Sequence, residues 1–153
     1  LRYDVKGRKY IGSDSKFYFE DPGVRNAIIG FRQVEYSHMM ENVLYNELCA
    51  RGYSVDVGLV EIWEKNEEGK IVHKRIEVDY VINRGSQRIY VQSAYSMPDE
   101  EKRDQEQRPL IKINDSFRKI IISGEHKGKF YNEEGVLRIG VFEFLLDREC
   151  LNN

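Results

Sequence analysis

Apolar residues recur every three or four positions in one long stretch of the chain and every second position in several shorter ones. The helical stretch is SHMMENVLYNELCARGY, in which Met40, Val43, Leu44 and Leu48 share a face, Ser37 suits the cap and Arg51 followed by Gly52 suits the exit. At roughly 100° per residue, Glu47 falls inside that apolar arc and Glu41 at its edge beside Leu48, while Asn42 and Asn46 point away. The two acids are therefore the ones expected to face inward. Upstream, Asp21 as cap, Pro22 at the first helical position and Gly30 at the exit predict a short helix.

The period then changes to two. Residues 53–63 and 71–82 read as strands joined across KNEEGK, and a third strand runs from Arg88 to Tyr95. In the second strand Ile76, Val78, Tyr80 and Ile82 alternate with Glu77, Asp79 and Val81, so Glu77 and Asp79 share a face. If Asn83 and Arg88 close the hairpin, Asp79 stands opposite Gln92 and Glu77 opposite Ala94. The expectation is that Asp79 and Gln92 both project under the Ser37–Arg51 helix. PDEEKRDQEQRPLIKI reads as a helix after Pro98 with a break near Pro109, RKIIISG as an apolar strand, and GVLRIGVFEFLLD as a strand turning into a short helix. The expected class is α/β, with a central mixed β-sheet flanked by helices. Residues 1–20 read as irregular chain with one or two small strands, so residues 1–30 are expected to be a linker with one short helix and residues 31–153 the domain.

Composition narrows the function. With 153 residues, 41% of them hydrophobic and 33% charged, the chain suits one well-solvated globular domain. It has neither an apolar run of membrane-spanning length nor a basic-then-apolar leader, so a soluble, cytoplasmic protein with no membrane partner is expected. Leu1 in place of an initiator methionine, in chain that already looks strand-like, suggests a piece of something longer. Cys49 and Cys150 are too far apart to suggest a metal spacing, and His38, His73 and His126 show no ligand spacing. A net charge of -2 argues against holding nucleic acid by bulk electrostatics, although the run from Lys102 to Lys129 carries eight basic residues against four acids. Within it, Lys102 and Arg103 are the candidate nucleic-acid contacts.

An aspartate beside an amide oxygen, with a helix carboxylate (Glu41 or Glu47) above them, can supply oxygen ligands to Mg²⁺ or Mn²⁺, the chemistry of metal-assisted phosphodiester cleavage. Such sites usually add a lysine that positions the attacking water and offsets developing charge, and this strand has none. The order HMMENVLYNELCARGYSV, IEVDYVI, QRIYVQSAYS, a charged helix, RKIIIS and VFEFLLD resembles the C-terminal domain of a widespread group of prokaryotic AAA+-type ATPases, grouped with the PD-(D/E)XK nuclease superfamily. FYFEDPGVRNAIIGFR resembles the stretch that joins those ATPases to this domain.

The resemblance implies a PD-(D/E)XK restriction-endonuclease-like fold. It places the helix acid on Glu41, the strand aspartate on Asp79, and the (D/E)-x-K element on Gln92, Ser93 and Ala94. Glu41, Asp79 and Gln92 become the catalytic and metal-ligating set, with Ala94 in the lysine position and Lys102 or Arg103 the nearest substitutes. It further implies a nucleic-acid-associated domain with weak or no phosphodiesterase activity, partnered by an upstream ATPase domain of the same polypeptide and by DNA. The alternative is a non-catalytic regulatory or protein-docking module of that ATPase. No G-x-x-x-x-G-K-[ST] occurs, so ATP hydrolysis would belong to another part of the polypeptide.

Overall fold

Two tight reversals organise the middle of the chain. Gly69 (φ 76°) turns β3 (Ser54–Lys65) back into β4 (Ile71–Arg84), and Gly85 (φ 59°) with Ser86 turns β4 into β5 (Gln87–Ala94). Both glycines hold the left-handed backbone that tight hairpins require. Asn83 pairs with Arg88 and Tyr80 with Val91, the register expected from the sequence.

The computed structural model describes residues 1–7, 9–12, 15–32 and 34–152, without the side chains of 9–11. Around the central hairpins it places β1 (Arg2–Asp4), β2 (Lys9–Ile11), β6 (Arg118–Ser123), β7 (Lys129–Tyr131) and β8 (Leu137–Gly140). The helices are α1 (Pro22–Ile28), α2 (Tyr36–Ala50), α3 (Glu100–Ile111) and α4 (Val141–Leu146). The strands make one mixed sheet in the order β2-β1-β3-β4-β5-β6-β8-β7, in which β1 runs parallel to β3 and β5, β6 and β8 run parallel to one another.

Helices lie on both faces, as the expected α/β class requires. On one face Met40, Leu44 and Leu48 of α2 and Phe144 of α4 pack on Tyr80, Ile82, Val91, Ile120 and Ile139. On the other, Leu110 of α3 packs with Val78, Val81, Tyr90, Ala94 and Ile121. No helix among the described residues is long and apolar enough to cross a membrane.

Several local expectations change. α2 starts at Tyr36 with Glu35 in the cap position, so Ser37 lies inside the helix. α3 is capped by Asp99, whose side chain accepts from Lys102 N, and it continues through Pro109. Because Pro109 falls in the last turn, its missing N–H removes one bond just before the helix ends at Ile111. The opening residues join the sheet: β1 pairs with β3, Val5 N donates to Leu59 O at 3.0 Å, and Tyr3 and Val5 are buried in the α3-side core. The one or two small strands expected in residues 1–20 are β1 and β2.

Candidate functional site

The site is shaped by an irregularity in β4. On the β3 side Asp56 pairs with Val81 but Gly58 pairs with Val78, so β4 carries one residue more than its partner across this step. Side chains along β4 therefore change phase: Ile76 and Val78 face α3, Tyr80 and Ile82 face α2, and Val81 faces α3 again. Asp79 and Tyr80, though consecutive, both turn to the α2 side. Gly58 accommodates this crowding, since a Cβ there would lie 2.8 Å from Val81 Cγ2 and 3.0 Å from Val78 Cβ.

The backbone ladder between β4 and β5 ends at Tyr80 and Val91, and side chains carry it onward. Asp79 Oδ2 accepts from Ser93 N at 2.8 Å, and Gln92 Oε1 accepts from Asp79 N at 3.3 Å. Gln92 itself follows the β5 alternation onto the α3 side, where its Nε2 donates to Glu106 Oε2 at 3.4 Å. The expectation that Asp79 and Gln92 project together under α2 is thus corrected, because the extra residue turns Asp79 away from the face its ladder position implies. Ala94, in the same phase as Gln92, is buried in the α3-side core.

Glu41 and Asp79 do come together, around a cation that the sequence did not flag. Lys16 Nζ lies 2.7 Å from Glu41 Oε1, 2.7 Å from Glu77 Oε1 and 3.7 Å from Asp79 Oδ1. Arg2 caps the second oxygen of Glu77 at 2.7 Å. Lys16 is delivered by an extended strap, residues 15–20, fastened across α2. Asn42 Oδ1 accepts from Phe19 N at 2.8 Å and its Nδ2 donates to Phe19 O at 2.6 Å, the two bonds a neighbouring strand would make. Asn46 Nδ2 donates to the Phe19 and Glu20 carbonyls, both at 2.9 Å. Tyr18 stacks on Tyr45 with centroids 4.0 Å apart, and its hydroxyl donates to Glu41 Oε1 at 2.9 Å. Helical phase had set Asn42 facing away, but the strap covers it and leaves it buried.

Three carboxylates against Lys16 and Arg2 leave excess negative charge. Burial, reinforced by the Glu41 charge, lifts the Asp79 carboxyl to about 7, with the Ser93 amide and the Lys16 ammonium pulling the other way. Burial works to lower the Lys16 value, but its hydrogen bonds to Glu41 and Glu77 and the Asp79 charge together hold it above the ordinary lysine range. Burial and the same acids raise Tyr18 and Tyr80, which stay neutral donors; the Tyr80 hydroxyl donates to the Glu41 carbonyl at 2.7 Å.

Among the described residues no three His, Cys, Asp or Glu side chains are grouped as a metal ion would need. Glu41, Glu77 and Asp79 converge on an ammonium, and the Gln92 amide works on the other face, so the set does not fit Mg²⁺ or Mn²⁺ as arranged. Glu47 is accounted for elsewhere, in an ion pair with Arg51 Nε at 2.8 Å. Of the candidate nucleic-acid contacts, Lys102 is tied to Glu106 at 2.7 Å, whereas Arg103 faces an open pocket. Lys16 had no signal in the sequence beyond being one basic residue in an aperiodic polar stretch.

No protein-family model matches the chain, and no solved structure gives a significant match. A curated protein of Haemophilus influenzae, described only as an uncharacterized protein, is 32% identical over 148 residues, which is 95% of this chain and 32% of that protein. The chain thus spans about a third of the length of the curated relative it matches.

Proposed function

We propose that this chain is a PD-(D/E)XK-like, nucleic-acid-associated domain of a longer ATPase polypeptide, with weak or no phosphodiesterase activity. The observation that supports this reading is the Lys16 ammonium among Glu41, Glu77 and Asp79. The acids that the nuclease pattern places on a helix and a strand are gathered at one point, yet the positive charge between them belongs to the protein. A phosphate approaching this point meets a lysine already paired with two carboxylates, and with Ala94 in the lysine position β5 has no basic side chain to orient a water. Loss of one such electrostatic group typically lowers a rate by roughly 10²-fold to 10³-fold. A divalent cation has to displace Lys16 before it reaches the carboxylates.

Two measurements on the purified chain test this. Incubation with supercoiled, linear and branched DNA in Mn²⁺ should give no robust cleavage. Calorimetric titration with Mg²⁺ or Mn²⁺ should give weak heats for the wild type and about tenfold tighter binding for Lys16→Met, which removes the competing ammonium. Robust cleavage lost in both Asp79→Ala and Glu41→Ala would overturn the reading.

Exposed Phe17, Ile28 and Phe31 favour a second reading, a non-catalytic module that docks on another part of the same polypeptide. Failure of the chain to bind any DNA, together with loss of ATPase regulation in the full-length protein on Ile28→Asp, would select it.

A further inference from the structure

A second polar feature lies on the opposite face of the sheet. A pocket of about 330 Å³ opens beyond the carboxyl ends of β5 and β6, two strands and roughly 10 Å along the sheet from Asp79. Arg103 from α3, Ser123 at the end of β6, Glu125 and His126 from the loop after it, Phe130 on β7 and Arg138 on β8 line it. It does not share a residue with the Lys16 cluster.

Arg103 and Arg138 also border a neighbouring opening lined by Glu100, Asp104, Glu133 and Glu134, but neither forms an ion pair with them. Arg138 spends one nitrogen on Gln107 Oε1 at 3.3 Å and, among the described residues, makes no ion pair and has a buried Nε without a partner. His126 Nε2 is likewise buried without a partner among the described residues, and Arg103 is exposed and has no ion pair with any of them. An unpaired buried N–H costs free energy comparable to a lost hydrogen bond, so the Arg138 Nε–H, on a side chain that lines this opening, calls for an acceptor. The lone acid of the lining, Glu125, accepts the Ser96 hydroxyl at 2.5 Å. Phe130 restricts both neighbouring side chains: its ring is 6.0 Å from the Arg138 guanidinium and edge-on to His126 at 5.0 Å.

We propose that this pocket is a phosphate site, in which Arg138 and Arg103 bind the phosphate oxygens and His126 and the Ser123 hydroxyl complete the donor set. Planar guanidiniums suit phosphate because each offers two parallel N–H groups to a pair of oxygens. The phosphate belongs to a nucleic-acid strand, an assignment of source that rests on the function proposed above, whereas the phosphate chemistry of the pocket does not. Contacts of this kind fix the register of a strand without reading its sequence.

The test uses the whole chain and two probes. Inorganic phosphate should shift the Arg138 Nε–H resonance saturably in a ¹H–¹⁵N spectrum. A 3′-labelled single-stranded oligonucleotide should bind in an anisotropy titration, about tenfold more weakly with Arg103→Gln and more weakly still with Arg138→Gln. Lys70→Gln, at the tip of the β3–β4 hairpin, should leave binding unchanged as a control for net charge. Arg103 is exposed, so its variant reports on the pocket even if Arg138→Gln unfolds, and Arg138→Lys should recover part of the affinity. A phosphate response without oligonucleotide binding would keep the site, assign it to a small phosphate ester and sink the nucleic-acid reading. No shift at Arg138 with phosphate, or equal oligonucleotide affinity in wild type and both glutamine variants, would overturn the proposal.

Discussion

Asp79 must hold its charge where water is scarce and two other carboxylates are near. Its proton is bound more tightly in the folded chain than in the unfolded one. Between the ordinary value of 3.8 and about 7 the native state therefore carries the extra proton. Stability contributed by that proton is greatest at the acid end of this window, falls as pH rises through it, and is flat above. Asp79→Asn should remove the slope and, at pH 8, stabilise by on the order of 1–2 kcal/mol, a rise in Tm of roughly 3–8 °C. Thermal melts of both proteins from pH 4 to pH 8 check this; parallel curves would mean that Asp79 titrates as an ordinary carboxyl. Lys16 limits the gain, since its ammonium already offsets part of the charge.

Arg51, the residue that caps the C-terminus of α2, ties that helix to α4 and the closing segment. Its guanidinium pairs with Glu47 at 2.8 Å, donates to the Asp147 carbonyl at 3.1 Å and to the Phe144 carbonyl, and lies 4.1 Å from the Phe144 ring. Arg51→Met keeps the stem but strands those carbonyls, and should cost roughly 2–4 kcal/mol in urea unfolding. The helix that Arg51 caps was legible because its apolar residues recur at a single period, and the β4–β5 register was legible because a glycine turn leaves little freedom. The bulge was not, because both halves of β4 alternate correctly and only their relative phase is shifted. Nor was the strap: FYFEDP has no period, and its hold on α2 depends on Asn42, whose amide reads in sequence as a solvated helix residue. The site was thus half legible, in its two acids but not in the cation between them or in the face that Gln92 takes.

At the scale of the molecule, a net charge of -2 averages two different settings: an acidic cluster with its internal lysine on the α2 face, and on the α3 face Arg103 and Arg138, which border both the proposed phosphate pocket and an opening lined by Glu100, Asp104, Glu133 and Glu134. Composition averages the two and so predicts neither. The opening strands also matter to the whole. β1 covers the edge of β3 and contributes Tyr3 and Val5 to the core. Removing residues 1–12 should cost roughly 3–5 kcal/mol from those two side chains alone and leave β3 as an exposed edge. Chemical denaturation and light scattering would read this as a lower midpoint and concentration-dependent association; a truncated chain as stable and monomeric as the parent would show that the opening strands are dispensable.

The supernumerary residue of β4 has a consequence for inheritance. Two rhythms share one strand, half a step apart, and Asp79 stands where they meet. Loss of the single codon for Tyr80 would restore one rhythm and slide the carboxylate about 3.3 Å along the sheet, into the place opposite Val91 and away from Lys16. The pH slope of stability measured on that deletion would register the move. In a lineage of such chains, the reach of this acid is decided by counting residues, and alignments that close the gap would match its letter while misplacing its charge.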